Sequence, residues 1–314
     1  MRTAHPIRRA RQAALAAFAL SATILLSPAV PGLHGFASPA FADEAAAIDT
    51  SRLVSIGGAV TEIVYALQEG DRLVARDSTS LYPPEAEKLP DVGYMRALSP
   101  EGVIALNPSA ILAVEGSGPP EALAVLKDAG VPFVTVPEGY DRETILRKIT
   151  VVGEALGVPD KAKALVDTVS ADLDQAIALA AARPESERKR VLFVLSFQGG
   201  KILAAGSHTA ADGIIRLAGA INATDDTFQG YKPLSDEAVI NASPDVILMM
   251  NRGAEENIDT ELLAHPAVAL TPAAANKAVL RFDGLHLLGF GPRTASAVRG
   301  LNEALYDKND HVPQ

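Results

Sequence analysis

Two stretches of this chain repeat one another at a fixed distance, and this constrains the fold more than any other feature. Residues 99–115 read SPEGVIALNPSAILAVE and residues 235–251 read SDEAVINASPDVILMMN, an ungapped match at an offset of 136. Ser, Glu, Val, Ile, Pro, Ile and Leu coincide. Each copy spells a Ser-capped helix, a Pro turn and an apolar strand. Just upstream, Gly93-Tyr94 faces Gly230-Tyr231 with one residue of slippage. A unit that recurs in this way predicts two related α/β lobes, and clefts between lobes are where ligands bind.

Hydrophobic periodicity places the remaining elements. Residues 52–56 form a short apolar strand broken by Gly57-Gly58, and 61–67 have helical spacing. Residues 73–75, 110–114 and 133–136 read as strands, with a helix over 119–129. This alternation implies parallel βα units. Residues 141–156 and 160–183 are rich in Ala, Leu, Lys and Glu and predict two helices, the second of roughly six to seven turns. Residues 191–196 restart a strand–Gly–helix pattern. A helix at 209–217, strands at 245–250 and 279–282 and a closing helix at 293–305 follow. The predicted fold is α/β, with two Rossmann-like lobes and parallel central sheets. The lobes are 43–158 and 189–314, joined by a long rigid helix within 159–188, with the ligand cleft between them.

The chain starts with a targeting pattern. Arg2, Arg8, Arg9 and Arg11 precede a mostly apolar run over 13–26, and Ala40-Phe41-Ala42 fits a small-x-small cleavage site. The run is short for a bilayer span, so residues 1–42 read as a cleaved secretory signal. Its removal takes away four Arg and no acid, moving the net charge from −10 to −14. Such an acidic chain argues against nucleic-acid binding. The absence of Cys excludes disulfides, thiol catalysis and Cys-ligated metal, and also a lipid anchor on an N-terminal Cys. There is no GxSxG elbow, no complete dinucleotide or phosphate loop, and no HxH or HExxH pair.

Five segments share an order and spacing: IGGAVTEIVYAL (56–67), DVGYMRALSPEGVIALNPSAILA (91–113), AAGSHTAADGIIRLAGAINA (204–223), YKPLSDEAVINASPDVIL (231–248) and GFGPRTASAV (289–298). Together, over residues 50–306, they resemble the helical-backbone class of periplasmic substrate-binding proteins of ABC transporters. Members of that class bind heme, vitamin B12 or ferric siderophores, and these segments look most like the heme-binding branch. The resemblance implies one α/β lobe on each side of a rigid helix and only small hinge motion. It implies a monomeric periplasmic receptor, not an enzyme, that captures heme and delivers it to an inner-membrane permease and its ATPase. A siderophore or corrinoid receptor of the same fold is the near alternative, and an exported hydrolase the distant one.

Ferric heme takes Tyr, His, Cys or Met as axial donor, and without Cys the first two and Met remain. Tyr94 and Arg96 are two residues apart and point the same way if that segment is extended. On the residues alone the pair reads as a loop-closing Tyr beside a surface Arg. The resemblance makes Tyr94 the axial ligand and Arg96 its partner. Tyr231, the repeat counterpart, reads as a porphyrin-stacking or second oxygen donor, or as a rim Tyr. Lys232 and Arg252 fall at the expected cleft edge of the second lobe, where cations would neutralise two propionates; solvated surface charge is the common alternative. His208 reads as a helix-capping loop residue, with a second iron ligand as the alternative. Glu101 and Glu237 fit first-turn capping, and the resemblance makes them the permease-docking pair.

Overall fold

The computed structural model describes residues 48–251 and 256–307, so the leader, the C-terminal tail and Arg252 lie outside the described residues. In the first half, strands β1 (Leu53–Ile56), β2 (Leu73–Arg76), β3 (Ala110–Val114) and β4 (Phe133–Val136) form a sheet ordered β2-β1-β3-β4. All its pairings are parallel. The accompanying helices are α1 (Gly58–Ala66), α2 (Pro100–Ile104), α3 (Pro120–Asp128) and α4 (Arg142–Ala155). The long helix expected over 160–183 is α5 (Pro159–Ala181).

The second half contains β5 (Arg190–Gln198), β6 (Lys201–Ala205), β7 (Ile221–Asn222), β8 (Tyr231–Leu234), β9 (Val246–Asn251) and β10 (Val279–Asp283). Its helices are α6 (Ala210–Leu217), α7 (Asp236–Ala242), α8 (Glu256–Leu263), α9 (Pro272–Ala275), α10 (Gly284–Leu288) and α11 (Thr294–Tyr306). The sheet order is β10-β9-β5-β6-β8, with β7 pairing β5.

The centre of this sheet is parallel, as expected, and an antiparallel margin is added to it. Strands β10, β9, β5 and β7 pair in parallel, but β6 runs antiparallel to both β5 and β8. The reason lies at Gly199 and Gly200, with φ of 54° and 73°. Two successive residues with positive φ make the tight turn whose twist matches a hairpin. The chain therefore folds back as β6 before it reaches α6, instead of passing directly from strand to helix.

Apolar runs become two-faced strands. In β1, Leu53 faces the central core and Val54 and Ile56 the opposite side of the first sheet. In β5, Val191 and Phe193 face the same central core, while Leu192 and Val194 face a separate cluster. Strand side chains alternate with period two, and strands covered on both faces need unbroken apolar sequence. The central core draws on both sheets and on α1, α4, α5, α6 and α11. Both copies of the internal repeat adopt the same local structure. Ser99 and Ser235 each cap a helix through Oγ, accepting from the amides of Gly102 and Ala238 at 3.3 and 3.2 Å. A parallel strand follows each helix.

Helix α5 touches both halves. Asp174 pairs with Arg142 of α4, Nε to Oδ1 at 2.6 Å and Nη2 to Oδ2 at 2.8 Å. Asp172 pairs with Arg299 of α11, Nη1 to Oδ1 at 2.8 Å and Nη2 to Oδ2 at 3.1 Å. Leu173 between them has no exposed surface and belongs to the central core. Leu173→Ala should therefore cost about 2–5 kcal/mol in urea denaturation, whereas Leu179→Ala on the open face of the same helix should stay within about 0.5 kcal/mol. Equal effects would contradict the packing described.

Candidate functional site

Chain segments that follow the strands of both sheets converge on a cleft of about 780 Å³. Such carboxyl strand ends are the usual ligand sites of open α/β sheets. On the first-lobe side the wall starts at Gly57-Gly58, directly after β1. Gly57 has φ 107°, open to glycine at little cost. At Gly58 a Cβ would lie 2.7 Å from the Thr79 carbonyl oxygen and collide with Leu285 of α10, so glycine lets the second lobe approach closely. A buried carboxylate organises this wall. Asp77 Oδ1 accepts from the Gly57 amide at 2.9 Å and the Ser80 hydroxyl at 2.7 Å. Its Oδ2 accepts from the amide and hydroxyl of Thr79 at 3.0 and 2.6 Å. The result is a satisfied buried network, which rigidifies the segment from Asp77 to Ser80.

Tyr94 and Arg96 both reach the cleft, but not through the extended segment that sequence spacing suggested. The Ala97 amide donates to the Tyr94 carbonyl at 2.7 Å, closing a turn over Met95 and Arg96. The turn, not a pleat, carries both side chains to the same side. Tyr94 is 48% exposed. Among the described residues Arg96 makes no salt bridge. From the second lobe come Leu195, Ser196 and Leu203 of the β5–β6 hairpin, Met250 at the end of β9, and Leu285 and Leu288 of α10. Tyr231, first residue of β8, lines the cleft as well.

The other expected site residues divide. Lys232 is exposed on β8, its Nζ 5.9 Å from the Phe228 ring centroid, and does not line the cleft. His208 is exposed, with φ 59°, in the loop before α6, whose cap is Thr209; it too lies away from the cleft lining. Arg252 is outside the described residues. Glu101 and Glu237 are exposed in the first turns of α2 and α7, where the Ser99 hydroxyl donates to Glu101 Oε2 at 3.1 Å.

Sequence reasoning missed Glu138, which lines the cleft, and Tyr140 outside the lining, whose ring is edge-on to Phe290 at 5.2 Å. Both follow β4, at the kind of strand end that could have drawn attention to them. Burial first, then the Glu138 carboxylate beside it, pushes the Tyr140 phenol up to about 12, with Arg96 acting in the opposite sense. Tyr231 is also pushed up, chiefly by burial, against hydrogen bonds involving Thr209 and the Ala211 backbone and the charge of Arg96. Although Tyr231 as a residue is 38% exposed, protein is dense around its hydroxyl, and desolvation wins.

Outside the cleft lining the lobes are bonded by charge as well. Glu62 of α1, 5% exposed, takes the Arg293 guanidinium on Oε2 and the Arg293 amide on Oε1, both at 3.0 Å. The same guanidinium lies over the Tyr82 ring at 3.5 Å, a favourable cation–π geometry.

Residues 53–284 match the family described as periplasmic binding protein. The chain belongs to the periplasmic binding protein family. It is similar to the periplasmic heme-binding protein BhuT solved in complex with two hemes: 44% identity, 81% of this chain and 97% of that one, TM-score 0.76. It is also similar to apo RhuT, a periplasmic heme-binding protein from Roseiflexus sp. RS-1, with 39% identity, 82% and 99% coverage and TM-score 0.77. An uncharacterized ABC transporter substrate-binding lipoprotein of Bacillus subtilis (strain 168), YvrC, is 29% identical over 82% of this chain and 81% of its own.

Burial holds the Glu62 carboxyl above the ordinary glutamate range, despite Arg293. The folded protein then binds this proton more tightly than the unfolded chain does, so its stability falls as pH rises from the ordinary glutamate range to the raised value. Glu62→Gln should remove that descending component from a series of urea midpoints measured across the window. Parallel profiles for the two proteins would refute this.

Proposed function

We propose that this protein captures heme outside the inner membrane and hands it to an ABC importer. One observation carries the reading: an apolar cleft bears a phenol, Tyr94, beside a guanidinium, Arg96, that has no acidic partner among the described residues. Ferric heme is a broad apolar plane with a Lewis-acidic centre and two carboxylates on one edge. Leu195, Leu203, Met250 and Leu285 offer the plane an apolar surface. Tyr94 offers its oxygen to the iron as axial donor, with Arg96 as its partner in the cleft. Tyr140, whose phenol is pushed up to about 12, keeps its proton. Tyr231 meets the ligand from the other lobe, by stacking or through its oxygen. Arg96 in the cleft supplies a cation for the propionates, Arg252 a second, and Lys232, exposed beside Tyr231 and outside the lining, adds only long-range charge; His208 serves its loop. The similarity to heme-binding proteins at 44% and 39% identity over most of the chain supports this reading.

In this scheme residues 1–42 are a secretory signal cleaved near Ala42, and the mature protein works in the periplasm as a monomer, by binding and not by turnover. Its lobes, 43–158 and 189–314, flank the linking segment 159–188. Glu101 and Glu237, exposed at equivalent places in the two repeat copies, dock on basic sites of the permease, whose ATPase powers uptake.

Ferric heme added to the purified protein should give a high-spin visible spectrum. Tyr94→Ala should abolish it and weaken binding by more than about 100-fold, beyond the usual effect of losing an outer-shell metal partner. Uptake of a corrinoid or ferric siderophore with no heme binding would replace this reading with the related one. Charge reversal of both docking residues, E101K with E237K, should leave heme affinity intact while stopping transport in reconstituted liposomes, since exposed charges act mainly on encounter and orientation. Undiminished transport would sink the docking assignment.

A further inference from the structure

The first-lobe wall of the cleft carries a fixed negative charge that the capture scheme leaves unused. Glu138 lines the cleft with its side chain 32% exposed. Behind it stands Lys148 of α4, with no exposed surface, its ammonium 3.0 Å from Glu138 Oε2 and 3.5 Å from the Gly139 carbonyl oxygen. The Tyr140 phenol is raised in part by the same carboxylate. The Glu138 amide donates to Glu115 Oε2 at 3.3 Å, which brings a second carboxylate to this edge. A buried ion pair is an inefficient way to stabilise a core. Here it holds one carboxylate in one orientation. The cation lies on the protein side, so an incoming ligand meets the anionic end first.

Arg96 lines the same cleft. The Tyr140 hydroxyl feels both groups, with opposite sign. The wall of one cleft thus carries both a carboxylate and a guanidinium. A planar ligand with both carboxylates on one edge experiences these two charges as a turning force, whereas one with neutral edges does not.

Resting on the heme reading above, we propose that Glu138, clamped by Lys148, is a specificity-determining residue that turns the ligand's carboxylate edge away from its own position and toward Arg96. Glu138→Gln keeps the shape and leaves an amide oxygen for Lys148. Because it strands a buried ammonium, the double variant Glu138→Gln with Lys148→Met is examined in parallel, with both charges removed. Affinities are measured for ferric heme and for its dimethyl ester, in which the carboxylates are capped. Heme should gain about tenfold relative to the ester in both variants, the scale of a charge interaction across a partly solvated gap. Proton spectra of the ferric complex should pass from one set of shifted heme methyl signals in the wild type to two in the variants. An unchanged heme-to-ester ratio with a single set of signals overturns the proposal, and so does an equal loss for both ligands, which marks a merely structural role. Wild-type protein that binds neither ligand refutes the heme reading itself, a result separate from either of these.

Discussion

On helix α5, two aspartates separated by one buried leucine grip arginines from opposite halves of the molecule. Asp174 holds Arg142, Asp172 holds Arg299, and Leu173 sits in the core that both sheets share. The ion pairs are partly exposed and energetically modest. Their paired, forked geometry nevertheless fixes direction as well as distance. With the apolar contact between them, they set the spacing of the two lobes before any ligand arrives. The cleft depends on that spacing. Its first wall is rigid through the Asp77 network and its second through the hairpin and α10, so a ligand is met by surfaces already in place. Preformed surfaces of this kind reduce the ordering cost of binding.

The two walls differ in character. The first lobe contributes phenol, guanidinium, carboxylate and a loop ordered by buried hydrogen bonds. The second contributes mainly leucine and methionine, with Tyr231 at the margin. An internal repeat has thus diverged in chemistry while keeping its architecture. The capped helix and strand survive in both copies, but Tyr94 sits before a turn and Tyr231 opens a strand. The Glu62–Arg293 pair joins the lobes away from α5, so the halves are tied at two separate places.

Much of this was legible from residues. Strand β3 has the limits that its apolar run suggests, because a strand covered on both faces must be continuously apolar; β4, at the sheet edge, keeps its expected limits with Thr135 exposed. The helices α4 and α5 follow for the converse reason, long segments of helix-favouring residues without turn chemistry. The β5–β6 hairpin escaped because Gly199-Gly200 was read as the passage from strand to helix, and Lys201–Ala205 is too short to announce itself as a strand. The turn at Tyr94 escaped because spacing alone assumes a backbone shape. Glu138, Tyr140 and Asp77 carry no motif. They become neighbours of the cleft only once the sheet order β2-β1-β3-β4 brings the carboxyl ends of these parallel strands to one edge.

Strand β8 is the outermost strand of the second sheet and also part of the rim through which a ligand enters. An exposed strand edge is an invitation to any other extended chain, since its amides and carbonyls are ready to pair. This edge is four residues long, with Lys232 and Pro233 in its middle. Proline withholds the amide that an added strand would need, and lysine resists desolvation. The protein can therefore leave its binding rim open while offering an added strand a poor edge to pair with, a discrimination made by backbone chemistry before any side chain in the cleft is consulted.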